Sequence, residues 1–411
     1  MGSIPIVLEL EGYIPCFECI HIMIYLFILI LVFTGIIKYD IGGHKNGKAS
    51  YFLFIFVVIS FTTGLSYRLG SDIIGYSNEY YEYSSLTNIH SLSYFTSFDD
   101  RMPLWVFVNS FFRTLGCDFY VLHLFQVLAI NLSIYTVLRK YTNCSFFSLL
   151  FYLVTVFLMY NYEIMREALA VSVFLYSTKY LVKSKYLQYF IFCFIAIGFH
   201  MSALITLIIP IFRYIISFKY GLIFIVAICF IILLGSRYVS NQLLILIEVE
   251  MLKDKAISYF SKDRYSTSVL GIGSLFNIAF NVLLPFLLYI QYLRKNNERM
   301  KEIFWGVACY GIVHCLSLVI PIFYRFNNYF YIFFIIYLID IATLRFYIGN
   351  VKAKSIKGLV FLILFVFSFG KFYAICTAKV GDSSYLSYKR YYPYSSIFTE
   401  ERDFQREKII E

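Results

Sequence analysis

Asn161-Tyr-Glu-Ile-Met-Arg166-Glu-Ala-Leu-Ala170 opens a stretch that runs on as apolar sequence to Val182 and turns at Lys183-Ser-Lys185. It returns as a second apolar run closing on Gly198-Phe-His200-Met-Ser202-Ala203. Two hydrophobic segments joined by a short basic turn predict an antiparallel helical hairpin in a membrane. Each carries one ionisable group at the end away from the turn, Arg166 in the first and His200 in the second. A hairpin brings both side chains to one level on one side of the bilayer. Ionisable groups at membrane depth are costly to keep and are therefore candidates for function. The plainer readings are an Arg that snorkels to headgroups and a His that satisfies a helix end.

The same pattern fills the chain. Of 411 residues, 60% are hydrophobic and 15% charged, with a mean hydropathy of +0.73. A soluble core has no use for that much apolar surface, whereas a bilayer does. The expected fold is an all-α integral membrane protein, a polytopic bundle forming a single domain over residues 1–411. The net charge of +10 is no nucleic-acid footprint, because Lys and Arg sit mostly in short loops, where they set orientation. No cleavable signal peptide is expected, since Glu9, Glu11 and Glu18 precede the first apolar run and no Lys or Arg does. Nine cysteines are scattered, and Cys16-x-x-Cys19 with His21 is the one cluster. Structural zinc asks for four ligands, so no metal is expected there.

Measured against the ~20 residues that a crossing helix needs, about 12 transmembrane helices are expected. They are Ile20–Ile37, Tyr51–Ser66, Asp118–Leu138, Ser145–Tyr160, Glu163–Val182, Tyr186–Phe199, Ser202–Ser217, Gly221–Gly235, Gly271–Leu293, Ile303–Ile320, Asn327–Leu344 and Lys357–Ala374. Lys38, Lys45 and Lys48, Arg139 and Lys140, Lys179, Lys183 and Lys185, Arg213 and Lys219, Arg294, Lys295, Arg299 and Lys301, and Arg345, Lys352 and Lys354 then fall in alternate loops. That parity places them in the cytoplasm. The other side receives two long extracytoplasmic loops (67–117 and 236–270), the tail (379–411), and Arg166, His200 and Arg325. Keeping this parity requires Tyr186 to Ser217 to form two short helices, with His200 in a tight turn between them.

The first long loop is rich in aromatic residues: Tyr67-Arg68-Leu-Gly-Ser-Asp72-Ile-Ile-Gly-Tyr76, then Tyr80, Tyr81, Tyr83 and Tyr94. Such rings suit sugar faces and membrane boundaries alike. Asp99-Asp100 ends this loop as a solvated turn or a divalent-metal pair. Arg101 to Phe112 suits a re-entrant or interfacial helix. The second loop offers an amphipathic piece, Val239–Leu252, and then Arg264-Tyr265, either a surface lid or a solvated loop. Tyr324-Arg325-Phe326 adds a second guanidinium to the side that holds Arg166, and two Arg can clamp phosphates by bidentate bonds. The tail contributes Tyr391-Tyr392-Pro393-Tyr394.

Together, Asp72…Tyr76, Arg166-x-x-x-Ala170, Phe199-His200-x-Ser202-Ala203, Tyr324-Arg325-Phe326 and Pro393-Tyr394 resemble the EpsG family, within the wider Wzy-type O-antigen, exopolysaccharide and capsule polymerases. The resemblance covers most of the chain. Two features depart from the pattern: Arg101-Met-Pro103-Leu104 stands in place of an acidic-Gly stretch, and a charged segment, Glu400 to Glu411, follows the Pro-Tyr pair.

The resemblance implies a glycosyltransferase in the bacterial cytoplasmic membrane, multi-pass, with its active site facing the extracytoplasmic side. A growing glycan on undecaprenyl diphosphate would pass to a lipid-linked oligosaccharide repeat unit. Its partners would be that donor and acceptor, membrane lipids, a chain-length regulator and a flippase, with no nucleic acid. Charge developing on the diphosphate must be met by fixed cations, for which Arg166 and Arg325 are the candidates. The base is His200 or Asp72. Arg68, Tyr76, Arg264, Tyr265, Tyr392 and Tyr394 are the candidate substrate contacts. No cofactor is expected: no Gly-rich phosphate loop is present, and two Arg can do a metal's work.

Other classes remain open at this level. A flippase or transporter would show internal repeats and ionisable groups near mid-depth. A ligase or a polyprenyl-phosphate sugar transferase would depend on Asp99-Asp100 and a metal. A scaffold would tolerate loss of Arg166, His200 and Arg325.

Overall fold

Long apolar runs interrupted by Gly, Asn and short basic turns produce helices throughout. The computed structural model describes residues 15–98, 101–217, 298–319, 321–344, 386–403 and 406–407, with isolated positions in 221–281 and 362–379. In chain order the helices are α1 (Pro15–Gly35), α2 (Lys48–Gly64), α3 (Ser71–Tyr80), α4 (Pro103–Thr114), α5 (Phe119–Tyr141), α6 (Ser145–Thr155), α7 (Met165–Val182), α8 (Tyr186–Phe199), α9 (Ile209–Ser217), α10 (Glu298–Val319) and α11 (Asn327–Leu344). No strand occurs among the described residues, only two isolated bridges. The expected spans Gly221–Gly235, Gly271–Leu293 and Lys357–Ala374, and the loop 236–270, lie wholly or largely outside the described residues.

Large apolar side chains face outward along the helices: Leu26, Phe27 and Ile30 on α1, Phe54, Val57 and Phe61 on α2, Leu128 and Leu132 on α5, and Ile191 and Phe194 on α8. Spaced three or four residues apart, they form continuous stripes that water would not tolerate, as befits a membrane protein. Two described helices are long and apolar enough to cross a bilayer unaided, Met23–Ile41 and Phe119–Tyr141. Helices α8 and α11 keep the expected bounds, whereas the expected spans Ser145–Tyr160 and Ser202–Ser217 are cut to the α-helices Ser145–Thr155 and Ile209–Ser217 by π and 3-10 segments.

The basic loops meet at one end. Lys48 Nζ donates to the Asn143 carbonyl (2.7 Å) and pairs with Asp40 (3.0 Å). Lys140 lies 3.7 Å from Glu302, and Arg213 donates to the carbonyls of Leu181 and Val182. Asp40 and Asp340 accept the backbone N–H groups of Phe147 and Asn143. Two carboxylates thus meet the positive N-terminus of α6.

From there α6 rises through only 11 residues, about 16 Å, which is too short to cross. The sequence predicts a helix to Tyr160; instead the helix ends at Thr155 and a π-turn follows at Met159–Glu163. The freed backbone and Asn161 are satisfied from α5. His123 bonds the Asn161 carbonyl (2.9 Å), Gln126 donates to the Tyr160 carbonyl (2.9 Å), and Asn131 reaches the Asn161 side chain (3.2 Å). Irregular backbone at this depth persists only when enclosed by protein in this way.

The α7–α8 hairpin forms as expected. Its second strut is short: the 14 residues of α8 rise about 21 Å. The short helix α4 packs against the end of this strut. A Cβ on Gly198 would lie 2.6 Å from Leu104, so only Gly allows the approach. After His200 the chain descends as a 3-10 helix, Met201–Ile208, and then α9. At about 2 Å per residue the 3-10 turns lengthen this strut, which is how so few residues return to the basic end.

The tail is woven into the other end. Tyr67 N–H donates to Ser395 O (2.8 Å), Gly70 N–H to Arg390 O (2.8 Å) and Ile397 N–H to Leu65 O (3.0 Å). Arg406, only 2% exposed, donates to the carbonyls of Arg68 (3.2 Å), Lys389 (3.3 Å) and Pro393 (2.6 Å). The charged segment that departs from the family pattern is thus a clasp. Arg406→Ala leaves three partly buried carbonyls without this donor, at a cost of about 1–3 kcal/mol. The expected result is a lower unfolding temperature in detergent and cleavage after residue 390 by a protease that spares the wild type.

Candidate active site

Arg166 is the second residue of α7, three residues past the end of the π-turn. Its Nε points to the Tyr76 hydroxyl (3.4 Å), and its guanidinium carbon lies 5.9 Å from that ring's centroid. Tyr76 in turn rests edge-on against buried Trp105 of α4, at 5.4 Å. The guanidinium is held by a wall contributed by α3 and α4.

His200 ends α8 and caps the 3-10 helix. Its Nδ1 accepts the Ser202 backbone N–H (3.2 Å) and lies 2.6 Å from Ser202 Oγ, which is 2.9 Å from the Tyr329 hydroxyl on α11. An accepting Nδ1 leaves the proton on Nε2 in the neutral ring. Burial, reinforced by the Arg166 and Arg325 charges, pushes the imidazole down to about 3. His200 is therefore a neutral N–H donor.

Arg325 ends the 3-10 turn Pro321–Phe326 ahead of α11, and the residue is exposed. Its charge acts on His200 and on Asp72 alike. Asp72 stands in the first turn of α3. Although the residue is exposed at the rim, the surrounding protein thins its hydration. Burial first and the Glu163 carboxylate second push Asp72 up to about 6, against the opposing pull of Ser71, Arg325 and Arg390. Gly70 makes this placement possible. Its φ of +84° and its fit against Tyr162, where a Cβ would come within 2.7 Å, admit no side chain.

The structure thus gathers Asp72, Tyr76, Arg166, His200 and Arg325 at one end of the bundle. It adds residues that the sequence reading passed over. Glu163 accepts from the Ser71 hydroxyl and amide and from the Tyr391 hydroxyl (2.7 Å), and so fixes the start of α3 and the tail together. Glu167, buried on α7, accepts from Asn328 Nδ2 (2.8 Å). Glu79 holds Arg101 through a two-pronged pair, with Nε at 2.6 Å. An acidic residue inside an apolar span was the available signal for Glu167.

Other candidates lie apart. Arg68 pairs with Glu407 (2.7 Å) on the outer side of α3. Tyr394 is 8% exposed, with its hydroxyl on Thr62 O (2.8 Å) and its ring edge-on to Tyr25, so it anchors the tail inside the bundle. Tyr392 is half-buried beside Tyr388. The aromatic loop packs mostly on itself, with Tyr80 and Tyr83 buried and Phe98 between Tyr83 and Tyr94. Asp99, Asp100, Arg264, Tyr265, and the side chains of Cys16, Cys19 and His21 fall outside the described residues.

Beside the Arg325 turn opens a largely apolar cavity of about 330 Å³, lined by Leu153, Met159, Tyr324, Asn328, Tyr331 and Phe372.

No curated protein and no solved structure matches the chain. The EpsG family model matches residues 50–396, a range that takes in every member of the cluster around Arg166, and the chain belongs to the EpsG family.

Proposed function

We propose that the protein is a polymerase that transfers a growing glycan from undecaprenyl diphosphate onto the next lipid-linked repeat unit, on the extracytoplasmic side of the cytoplasmic membrane. The family links the chain to polysaccharide biosynthesis in membranes. The observation that carries the reading is the gathering of Asp72, Arg166, His200 and Arg325 at one end of the bundle, where the Arg325 charge acts on both Asp72 and His200. A carboxylate with two guanidinium groups in one cluster suits an attack on a lipid diphosphate sugar.

The acceptor hydroxyl gives its proton to Asp72 as its oxygen bonds to the anomeric carbon. The carbon–oxygen bond to the diphosphate breaks, and the leaving diphosphate takes the electron pair. Arg166 and Arg325 meet its charge with forked hydrogen bonds. His200 contributes its Nε2–H. The apolar cavity beside Arg325 suits the first prenyl units of the carrier.

Polymer ladders on gels at matched membrane levels test this. His200→Gln keeps a terminal N–H donor and is expected to retain linkage formation within about tenfold, well short of the loss from removing a base. A loss as deep as that from Asp72→Asn would return the base to His200. In isolated membranes, chelation is expected to leave the ladder intact. A ladder lost to chelation and restored by Mg²⁺ would instead favour a metal-assisted transferase built on Asp99-Asp100.

A further inference from the structure

Helix α3 has two working faces. At 3.6 residues per turn, Asp72, Tyr76 and Glu79 share the face towards Arg166. Ser77 and Asn78, with Tyr81 just beyond the helix, lie about half a turn away. They line a second cavity of about 510 Å³, within the ~300–1,000 Å³ range of small-molecule sites. Three aromatic rings border it: Tyr81, Tyr67 and Tyr120, the last two 5.2 Å apart. Asp118 reaches it from the start of α5, accepting from the Tyr81 hydroxyl (3.1 Å), and the amide of exposed Asn78 opens into it. Arg402 brings one positive charge and Asp118 and Glu400 two negative ones, while Arg68 at the edge is already paired with Glu407 (2.7 Å).

We propose that this cavity is a saccharide subsite for an uncharged, hydroxyl-rich segment of glycan. Tyr rings offer flat apolar faces to sugar C–H groups. Carboxylate, amide and guanidinium groups offer the mixed donors and acceptors that hydroxyls use. A phosphate would meet an already paired Arg68 and an excess of acids, whereas hydroxyls of a neutral chain can donate to those carboxylates. The cavity is one helix width, about 10 Å, from Asp72, so a glycan draped over α3 reaches both faces. That the glycan is the growing polymer rests on the polymerase reading; that the cavity binds sugar does not.

The test uses the full-length protein in detergent and oligosaccharides released by partial hydrolysis of the polymer of the source strain. Wild type is expected to bind them. Tyr81→Ala and Asn78→Ala, each with an unchanged melting temperature, are expected to weaken binding about tenfold or more, as truncation of an aromatic anchor or its polar partner does. In cells the same variants are expected to lose the longest members of the ladder. Absence of binding to wild type, or wild-type affinity in both variants, overturns the subsite. A ladder that persists in cells lacking this protein would count against the polymerase reading and leave the subsite to stand or fall on the binding result.

Discussion

Asp72→Asn is expected to leave single repeat units on the carrier, with linkage formation slowed by about 10²–10⁴-fold, the contribution of a positioned base. The amide matches the carboxylate in shape and keeps the bond from Ser71, but it has no site for the proton. The pH profile gives the sharper test. Asp72 must be ionised to act, and burial with Glu163 raises it to about 6. Wild-type activity should therefore rise with pH through about 6 and level off above it. Glu163→Gln removes a negative neighbour, so Asp72 ionises more easily and the acid limb moves to lower pH. The movement is partial, because burial is the larger cause. A full ladder from Asp72→Asn, or an acid limb in Glu163→Gln that stays or moves up, would sink the assignment.

Arg166→Lys is expected to cost about 10²–10³-fold in turnover, the loss typical when one preorganised donor to a developing oxyanion is removed. Charge is preserved, so geometry alone is under test. The guanidinium is planar and forked, and the Tyr76 ring and hydroxyl fix its plane. An ammonium keeps a point charge but loses the fork and the orientation. The loss should appear in kcat more than in KM, since the charge being met develops only as the bond to diphosphate breaks. Turnover within about threefold of wild type would mean that positive charge suffices and would end the bidentate reading.

The hairpin was legible because two apolar runs and a basic turn admit few other arrangements, and Arg166 and His200 were legible as ionisable residues at its ends. Asp72 and Arg325 were visible as motif members. Glu163 and Glu167 flank Arg166 in the same stretch yet escaped notice. Acidic residues at a helix start ordinarily meet solvent, and their partners lie far off in sequence: Ser71 is 92 residues away, Asn328 161 and Tyr391 228. Pairings over such distances have no local signature. Helix lengths misled for a related reason. Hydropathy does not register a π-turn whose carbonyls are met by His123 and Gln126 of another helix. Tyr394 read as a substrate contact because a late aromatic looks the same in sequence whether it faces a glycan or Tyr25.

The clasp by Arg406 has a consequence for biogenesis. Its partner Arg68 is made 338 residues earlier. At roughly 5–20 residues per second, the ribosome takes on the order of 17–70 s to supply the missing half. During that interval the segment carrying Asp72 lacks the bonds from residues 390–406 that hold its start. A chain that terminates early would insert most of its helices and still never assemble a working centre. Residues 390–406 therefore complete this end of the bundle late, and chains stopped before residue 390 are expected to lack activity even where they insert stably.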